Sequence, residues 1–254
     1  MKQIKMNELK LPTVTIGIPA YNEDKNIGSL LAALKNQKIS KVNLEKVMVY
    51  TDGSKDQTPQ IVDAKAKDWN KIQHLKGEAQ KGKFARLNEM YQINNSDVLI
   101  LLDADVGIAD DWFIEKFALN IINDDKAMLV AAHELPILPK DFIGRVIAST
   151  YTMWDQVRWS VPNYDNVHNL YQRGVAYRGS FAKTLYIPDG ATEERLYLYL
   201  SAKKHNGFRY ALNSVLRYLP ASTLEDYKKL SRGGTFWHSS ANETSRAFSG
   251  CKYC

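Results

Sequence analysis

The sequence predicts an α/β fold with a mixed, mostly parallel central sheet flanked by helices. Strand-like and helix-like stretches alternate through the first half of the chain, and such alternation produces parallel strands joined by right-handed helical crossovers. The run Asp97–Leu102 (DVLILL) is apolar on both faces, as a strand at the centre of such a sheet must be. Three apolar runs end in polar or special clusters: Pro19-Ala20-Tyr21-Asn22, Thr51-Asp52-Gly53-Ser54 and Asp103-Ala104-Asp105. Ligands of parallel sheets collect at the carboxyl ends of the strands, so the three clusters point to one site.

In chain order, Thr13–Ile18 is a short β-rich run closed by Pro19. Ile27, Leu30, Leu31 and Leu34 recur at helical spacing. Lys46–Tyr50 reads as a second strand, Pro59–Asp68 as a helix, Ile72–Leu75 as a third strand and Lys83–Gln92 as a helix. After Asp97–Leu102, a helix is expected near Asp111–Asn123 and a strand near Ala127–Ala132. The pattern then becomes irregular and rich in aromatics (Tyr151, Trp154, Trp159, Tyr164, Tyr171 and Tyr177) before a helix from Thr192 to about Lys204 and a β-like stretch Phe208–Tyr218. The change suggests a nucleotide-binding half over 12–107 and an acceptor-binding half over 108–240. With no Pro/Gly/Ser linker between them they belong to one domain, and 241–254 reads as a flexible tail.

Composition narrows the function. The 254 residues suit one larger α/β domain. With 34 basic and 28 acidic side chains the net charge is +6, which favours anionic ligands such as a nucleotide diphosphate or an anionic membrane surface. The basic residues are spread along the chain, which argues against a nucleic-acid binder. The two cysteines, Cys251 and Cys254, stand in the tail, so the core needs no disulfide, as suits a reducing cytosol. No signal-like segment and no run of about 18 apolar residues occurs, so the expected setting is the cytoplasm, with a peripheral contact at the inner membrane face allowed. For that contact the candidate is Ile143–Trp159, with Arg145 and Arg158.

Asp103 and Asp105 lie two apart at the end of a buried strand. If the chain stays extended there, both carboxylates emerge on one face. Their repulsion is relieved by a divalent cation, and Mg²⁺ or Mn²⁺ binds through one or two carboxylates plus phosphate oxygens. A helix cap is the plainer use of such acids. Asp52 before Gly53 suits acceptance of an N–H from a base, or a simple turn with Asp56 capping the next helix. Tyr21 suits stacking on a base, while Asn22 and Glu23 suit a helix cap. Lys81-Gly82-Lys83 opens a helix, where lysines oppose the helix dipole unless an anion sits beside them.

Thr13–Asn22 with Glu23, then Asp52-Gly53-Ser54 with Asp56 and Thr58, then Gly82-Lys83 with Asn88, then Leu102-Asp103-Ala104-Asp105, together resemble glycosyltransferase family 2 over about Thr13 to Asp111. The resemblance implies the GT-A fold, a UDP- or GDP-sugar donor, Mg²⁺ or Mn²⁺, and inversion at the anomeric carbon. It places Pro19, Tyr21, Asn22, Glu23, Asp52, Gly82, Lys83, Asp103 and Ala104 around the donor. Within that group it puts Tyr21 and Asp52 near the base and Asp103 near the ribose, and it makes Asp105 the metal ligand. In the second half Gly174–Arg178 looks like the family segment before the acceptor site, which puts Tyr177 and Arg178 on the acceptor side; Trp154, in the aromatic stretch Tyr151–Tyr177, suits an acceptor groove because flat rings suit sugar faces, with packing in the core or an interface as the plainer reading. Thr192-Glu193-Glu194 resembles the family's acidic pair opening a helix, so the general base is Glu193 or Glu194; first-turn acids favouring the helix dipole are the plainer reading. His238 is a candidate late metal ligand. The family's second acid before the turn glycine is Thr51 here, and Lys229–Gly233 keeps only the arginine of its downstream QxxRW signature. The implied acceptor is a glycan or a lipid-linked molecule. The competing functions are a nucleotidyltransferase and a non-catalytic binder of nucleotide-sugars or glycans.

Overall fold

The computed structural model describes residues 10–188, 194–221 and 223–231, with the backbone alone at 226 and 229–231. Eight strands form one sheet: β1 (Thr13–Ala20), β2 (Asn43–Asp52), β3 (Ile72–Gly77), β4 (Val98–Leu102), β5 (Gly107–Ile108), β6 (Leu129–Pro136), β7 (Gly174–Arg178) and β8 (Phe208–Tyr218). Their order across the sheet is β3-β2-β1-β4-β7-β6-β8-β5. The pairs β1–β2, β2–β3, β1–β4 and β6–β8 are parallel. The pairs β4–β7, β6–β7 and β5–β8 are antiparallel. This is the expected mixed, mostly parallel sheet. The second half of the chain joins it through β7, which pairs directly with β4, so both halves of the chain share one sheet.

The helices are α1 (Ile27–Lys35), α2 (Thr58–Asp68), α3 (Lys83–Ile93), α4 (Phe113–Ile122), α5 (Phe142–Trp159), α6 (Gly179–Ala182), α7 (Glu194–Lys203) and α8 (Leu224–Ser231). Strand side chains alternate between two apolar layers, as the pleat requires. Val14, Ile16, Ile18, Val98 and Ile100 pack with Leu30 and Leu34 of α1, Val62 of α2 and Phe117 of α4. Leu99, Leu101 and Val175 face the other way, onto Leu87 and Met90 of α3 and Leu198 of α7. Burial on both faces explains why β4 reads as an unbroken apolar run.

One expectation fails. The aromatic stretch read as irregular contains α5, an 18-residue helix capped by Asp141, whose carboxylate accepts from Gly144 N–H at 2.7 Å. Many of its large apolar side chains face outward, so the periodicity that marks a core-facing helix is displaced. No described helix is long and apolar enough to cross a membrane.

Candidate functional site

The carboxyl ends of β1, β2 and β4 converge, and the hydrogen bonds there show why each cluster has its composition. The β1 cluster is tied to the β2 cluster: Asn22 N–H donates to Ser54 Oγ (3.1 Å), and Lys55 N–H donates to Asn22 Oδ1 (2.9 Å). Asn22 is left-handed, with φ 56°, a conformation that asparagine tolerates better than most residues. It is a cross-link between turns rather than a helix cap. Asp56 closes the turn that leads into α2, its Oδ1 accepting from Thr58 N–H at 3.0 Å, while the residue before the helix, Gln57, makes no side-chain cap.

Asp52 is fully buried. Its carboxylate accepts from Lys81 N–H (2.9 Å), Gly82 N–H (2.8 Å) and Arg86 Nε (2.6 Å). Arg86 also donates to Ala79 O at 2.9 Å and lies 4.2 Å over the Tyr50 ring. Asp52 therefore turns inward onto three protein donors and holds the 79–82 loop; a free edge for a base is not offered here. The glycines serve the same loop: a Cβ on Gly53 (φ +67°) would stand 2.8 Å from Gln80 N, and Gly82 has φ +91°. Both require a residue without a side chain.

The loop delivers Lys83 at the start of α3, where its Nζ meets Asp103 Oδ1 at 2.5 Å. Burial disfavours the ammonium, but Asp103 outweighs it and the Lys83 pKa is raised. The anion that offsets lysine at this helix start is thus Asp103. Asp103 and Asp105 do not continue the strand. They stand in a turn between β4 and β5 whose intervening side chains, Ala104 and Val106, are buried in the core. Anchoring alternate residues inward leaves the two carboxylates on the cleft side, so the expected pairing is reached by a turn. Asp103 N–H also donates to Arg173 O at 2.9 Å.

The acids repel one another. The protein walls around Asp105 raise its pKa, and Asp103 adds to this against Arg173 and Lys83. Glu23 is pushed up to about 7, first by burial and then by Asp105, Asp103 and Asp56, while Asn26, donating to Oε2 at 2.8 Å, resists. Among the described residues no group of three or more His, Cys, Asp or Glu side chains forms a complete metal cage. Raised carboxyls without a full cage suit Mg²⁺ or Mn²⁺, which complete their shells with phosphate and water. Because the folded-state pKa of Glu23 lies above the ordinary 4.5, the stability it contributes is complete below that pH and is lost as pH rises through about 7. Glu23→Gln, which keeps an acceptor for Asn26, should raise Tm by about 2–4 °C at pH 8 in chelator and leave it nearly unchanged at pH 4.5, read by calorimetry. An equal shift at both pH values would show that Glu23 carries no excess charge.

The expected acceptor side is only partly assembled. Pro19, Lys83, Asp103 and Tyr177 line one cavity of about 10 Å³ together with Gln172. Tyr177 is buried, its hydroxyl accepting from Tyr91 OH at 3.2 Å. Arg178 pairs with Val98 in the β7–β4 ladder while Gly174 pairs with Leu102, so it stands at the opposite end of β4 from Asp103. Its guanidinium donates to Ile121 O (2.7 Å), Asp124 O (2.9 Å) and Ala127 O (3.0 Å). That corrects the expectation: Arg178 satisfies carbonyls in the last turn of α4 and just beyond it. Trp154 is exposed on the outer side of α5, edge-on to His168 at 5.6 Å. Glu194 opens α7 and is buried, close enough to Lys83 and Tyr177 to raise both pKa values. Glu193 and His238 lie outside the described residues.

Three neighbours of the site were not read from the sequence. Gln172 has φ 69°, and with its amide nitrogen turned to Glu194 it donates to that carboxylate and accepts from Arg195 N–H at 3.1 Å. Arg173 pairs with the buried Glu134, its Nη1 donating to Oε2 at 2.8 Å, and stacks 4.0 Å over Tyr218. A glutamate inside the apolar run LVAAHELP was the available signal, since a buried charge demands a partner.

Sequence comparison matches the family described as Glycosyl transferase family 2 to residues 15–183. The chain is 33% identical over 124 residues to a probable glycosyltransferase, YdaM, of Bacillus subtilis, covering 48% of this chain and 29% of that protein. It is 32% identical over 111 residues to a beta-monoglucosyldiacylglycerol synthase of Trichormus variabilis, covering 43% and 24%. It therefore spans less than a third of the length of these relatives. Among solved structures, a mannosyltransferase of Pyrobaculum calidifontis in complex with GDP-Man and Mn²⁺ superposes with TM-score 0.65 at 16% identity, over 88% of this chain and 61% of that one. TarS 1–349 of S. aureus in complex with UDP gives TM-score 0.64 at 18% identity, over 87% and 64%. These likenesses show the GT-A fold.

Proposed function

We propose that this chain, which belongs to glycosyl transferase family 2, moves a sugar from a UDP- or GDP-sugar to an acceptor hydroxyl with inversion at the anomeric carbon. The observation that supports this most is the convergence of Asp103, Asp105 and Glu23 with Lys83 and Glu194 in one cleft, where Lys83 meets Asp103 at 2.5 Å, Glu194 and Asp105 raise the Lys83 pKa, and Asp103 and Asp105 raise that of Glu23. The Mn²⁺ in the mannosyltransferase complex is in keeping with a divalent ion at such a cleft.

The diphosphate belongs beside Lys83 and the Asp103–Asp105 turn. Asp105 is the ligand for Mg²⁺ or Mn²⁺, which when bound supplies Lewis-acid neutralisation of the leaving diphosphate. Lys83, held charged by Asp103, adds a positive charge on the same side. Tyr21, Asn22 and Pro19 border the donor at the end of β1. The carboxylate at the start of α7 accepts the proton of the attacking hydroxyl, which for inversion approaches from the face opposite the leaving group. Glu194, held by Gln172, is one bearer of that role and Glu193 the other. The acceptor is a glycan or a lipid-linked hydroxyl, in keeping with the diacylglycerol-glycolipid synthase among the relatives.

Glu194→Gln should lower kcat by about 10²–10⁴ while donor affinity stays within twofold, roughly the range for loss of a general base. Turnover released as UDP or GDP against a panel of acceptors is the measurement. If Glu193→Gln gives that loss and Glu194→Gln does not, Glu193 is the base. If the double variant keeps wild-type turnover, the proton acceptor lies elsewhere.

A further inference from the structure

α5 has three faces. Its inner side buries Ile147, Ala148 and the Asp155–Arg158 ion pair. Phe142, Ile143, Val146, Met153, Trp154 and Val157 all point to solvent, with Phe142 at 74%, Met153 at 71% and Val157 at 57% exposure. At 100° per residue these six fall within an arc of about 120°, as two apolar clusters, 142–146 and 153–157, with the exposed Thr150 between them on the same face. Leu138, 70% exposed, continues the first beyond the helix start. Soluble surfaces rarely gather so many large exposed apolar side chains on one helix face without a use.

The charges beside this face identify what it meets. The one exposed charged side chain on α5 is Arg145, because Asp155 and Arg158 are buried on each other. Lys140 is exposed just before the helix, and the acid between them, Asp141, is engaged as the cap. The whole chain carries +6. Like charge opposes a second copy at this face, whereas apolar clusters edged by cations complement an anionic lipid surface. Of the two arginines expected at such a contact, Arg145 is exposed and Arg158 is buried on Asp155, and Lys140 stands beside Arg145 instead.

We propose that the outer face of α5 seats the protein on an anionic bilayer, with Phe142, Val146, Met153 and Val157 entering the interface and Lys140 and Arg145 at the headgroups. The inner face of the same helix leads to the candidate site. The Tyr151 ring stands 6.2 Å from Tyr218, whose ring lies 4.0 Å beneath the Arg173 guanidinium, and Arg173 O accepts from Asp103 N–H. Between a bilayer on α5 and the Asp103–Asp105 turn would stand the helix itself and the Tyr218–Arg173 layer behind it.

The test is flotation of the full chain with vesicles of phosphatidylcholine alone or mixed equally with phosphatidylglycerol, without any donor, so that the result is independent of sugar transfer. The wild-type chain is expected to float with the mixed vesicles. Met153→Asp with Val157→Asp should lower partition by at least about tenfold with Tm unchanged, since both positions are exposed. Lys140→Glu with Arg145→Glu should lower binding to the mixed vesicles only. Failure of the wild type to float, or flotation unaltered by the paired aspartates, overturns the proposal. So does a wild-type dimer that those aspartates dissociate without any vesicle binding, which would assign the face to a second copy. Unchanged binding of the paired glutamate variant to mixed vesicles overturns the anionic preference.

Discussion

Asp105→Ala is expected to lose turnover by about 10³-fold or more and to gain, not lose, thermal stability at neutral pH. The first effect follows if this carboxylate holds the cation that offsets charge on the leaving diphosphate, since removing one electrostatic contact to a developing charge costs on the order of 10²–10³ in kcat, and loss of the ion removes more than one. The second follows from the raised pKa of Asp105 and from its part in raising that of Glu23. Removing it relieves repulsion among acids whose ionisation folding opposes. The Glu23 carboxyl should then titrate closer to its ordinary value. Calorimetry with and without chelator reads the stability, and release of nucleotide diphosphate reads the turnover. A variant that loses activity only because it unfolds would show a lower Tm.

Arg86→Met should destabilise the fold by about 3–5 kcal/mol, because it strands a buried charge without its ionic partner. Asp52 is fully buried and the Arg86 side chain is 2% exposed. Once the guanidinium is gone, the Asp52 carboxylate keeps the Lys81 and Gly82 amides as donors. A fall in Tm on the order of 10 °C is expected. Pairing it with Asp52→Asn should recover part of the loss, since neutralising both partners removes the uncompensated charge; a double-mutant cycle measures the coupling. Strictly additive effects would mean that the pair does not hold the 79–82 loop. The variant should also weaken donor binding, because that loop places Lys83 against Asp103.

Much of the donor side was legible in the sequence because its physics is local. Strands buried on both faces read as apolar runs, and Gly53 and Gly82 mark turns that no other residue fits. Asp103-Ala104-Asp105 was found for a reason only half right: the two acids do face one cleft, but through a turn anchored by Ala104 and Val106 instead of a continued strand. Asp52 shows the opposite limit. A carboxylate after a strand looks the same whether it faces a ligand or an arginine 34 residues on. The second half was harder because its signals are non-local. α5 turns apolar residues to solvent, β7 finds its partner far back in β4, and Gln172 and Arg173 acquire meaning only beside Glu194 and Glu134. Arg178 carried the right residue type in the right motif, yet the register of β7 places it at the far end of the sheet.

The central claim is that the Asp103–Asp105 turn binds a nucleotide diphosphate together with a divalent cation. Titration calorimetry of UDP- and GDP-sugars into the wild-type chain and into Asp105→Asn, each with Mn²⁺ and with chelator, tests it most directly. One of the two nucleotide series should bind the wild type with Mn²⁺ at least about tenfold more tightly than in chelator, a difference of roughly 1.4 kcal/mol, and Asp105→Asn should abolish that difference. Equal affinity with and without the ion in the wild type, or a metal effect that survives in Asp105→Asn, would contradict it.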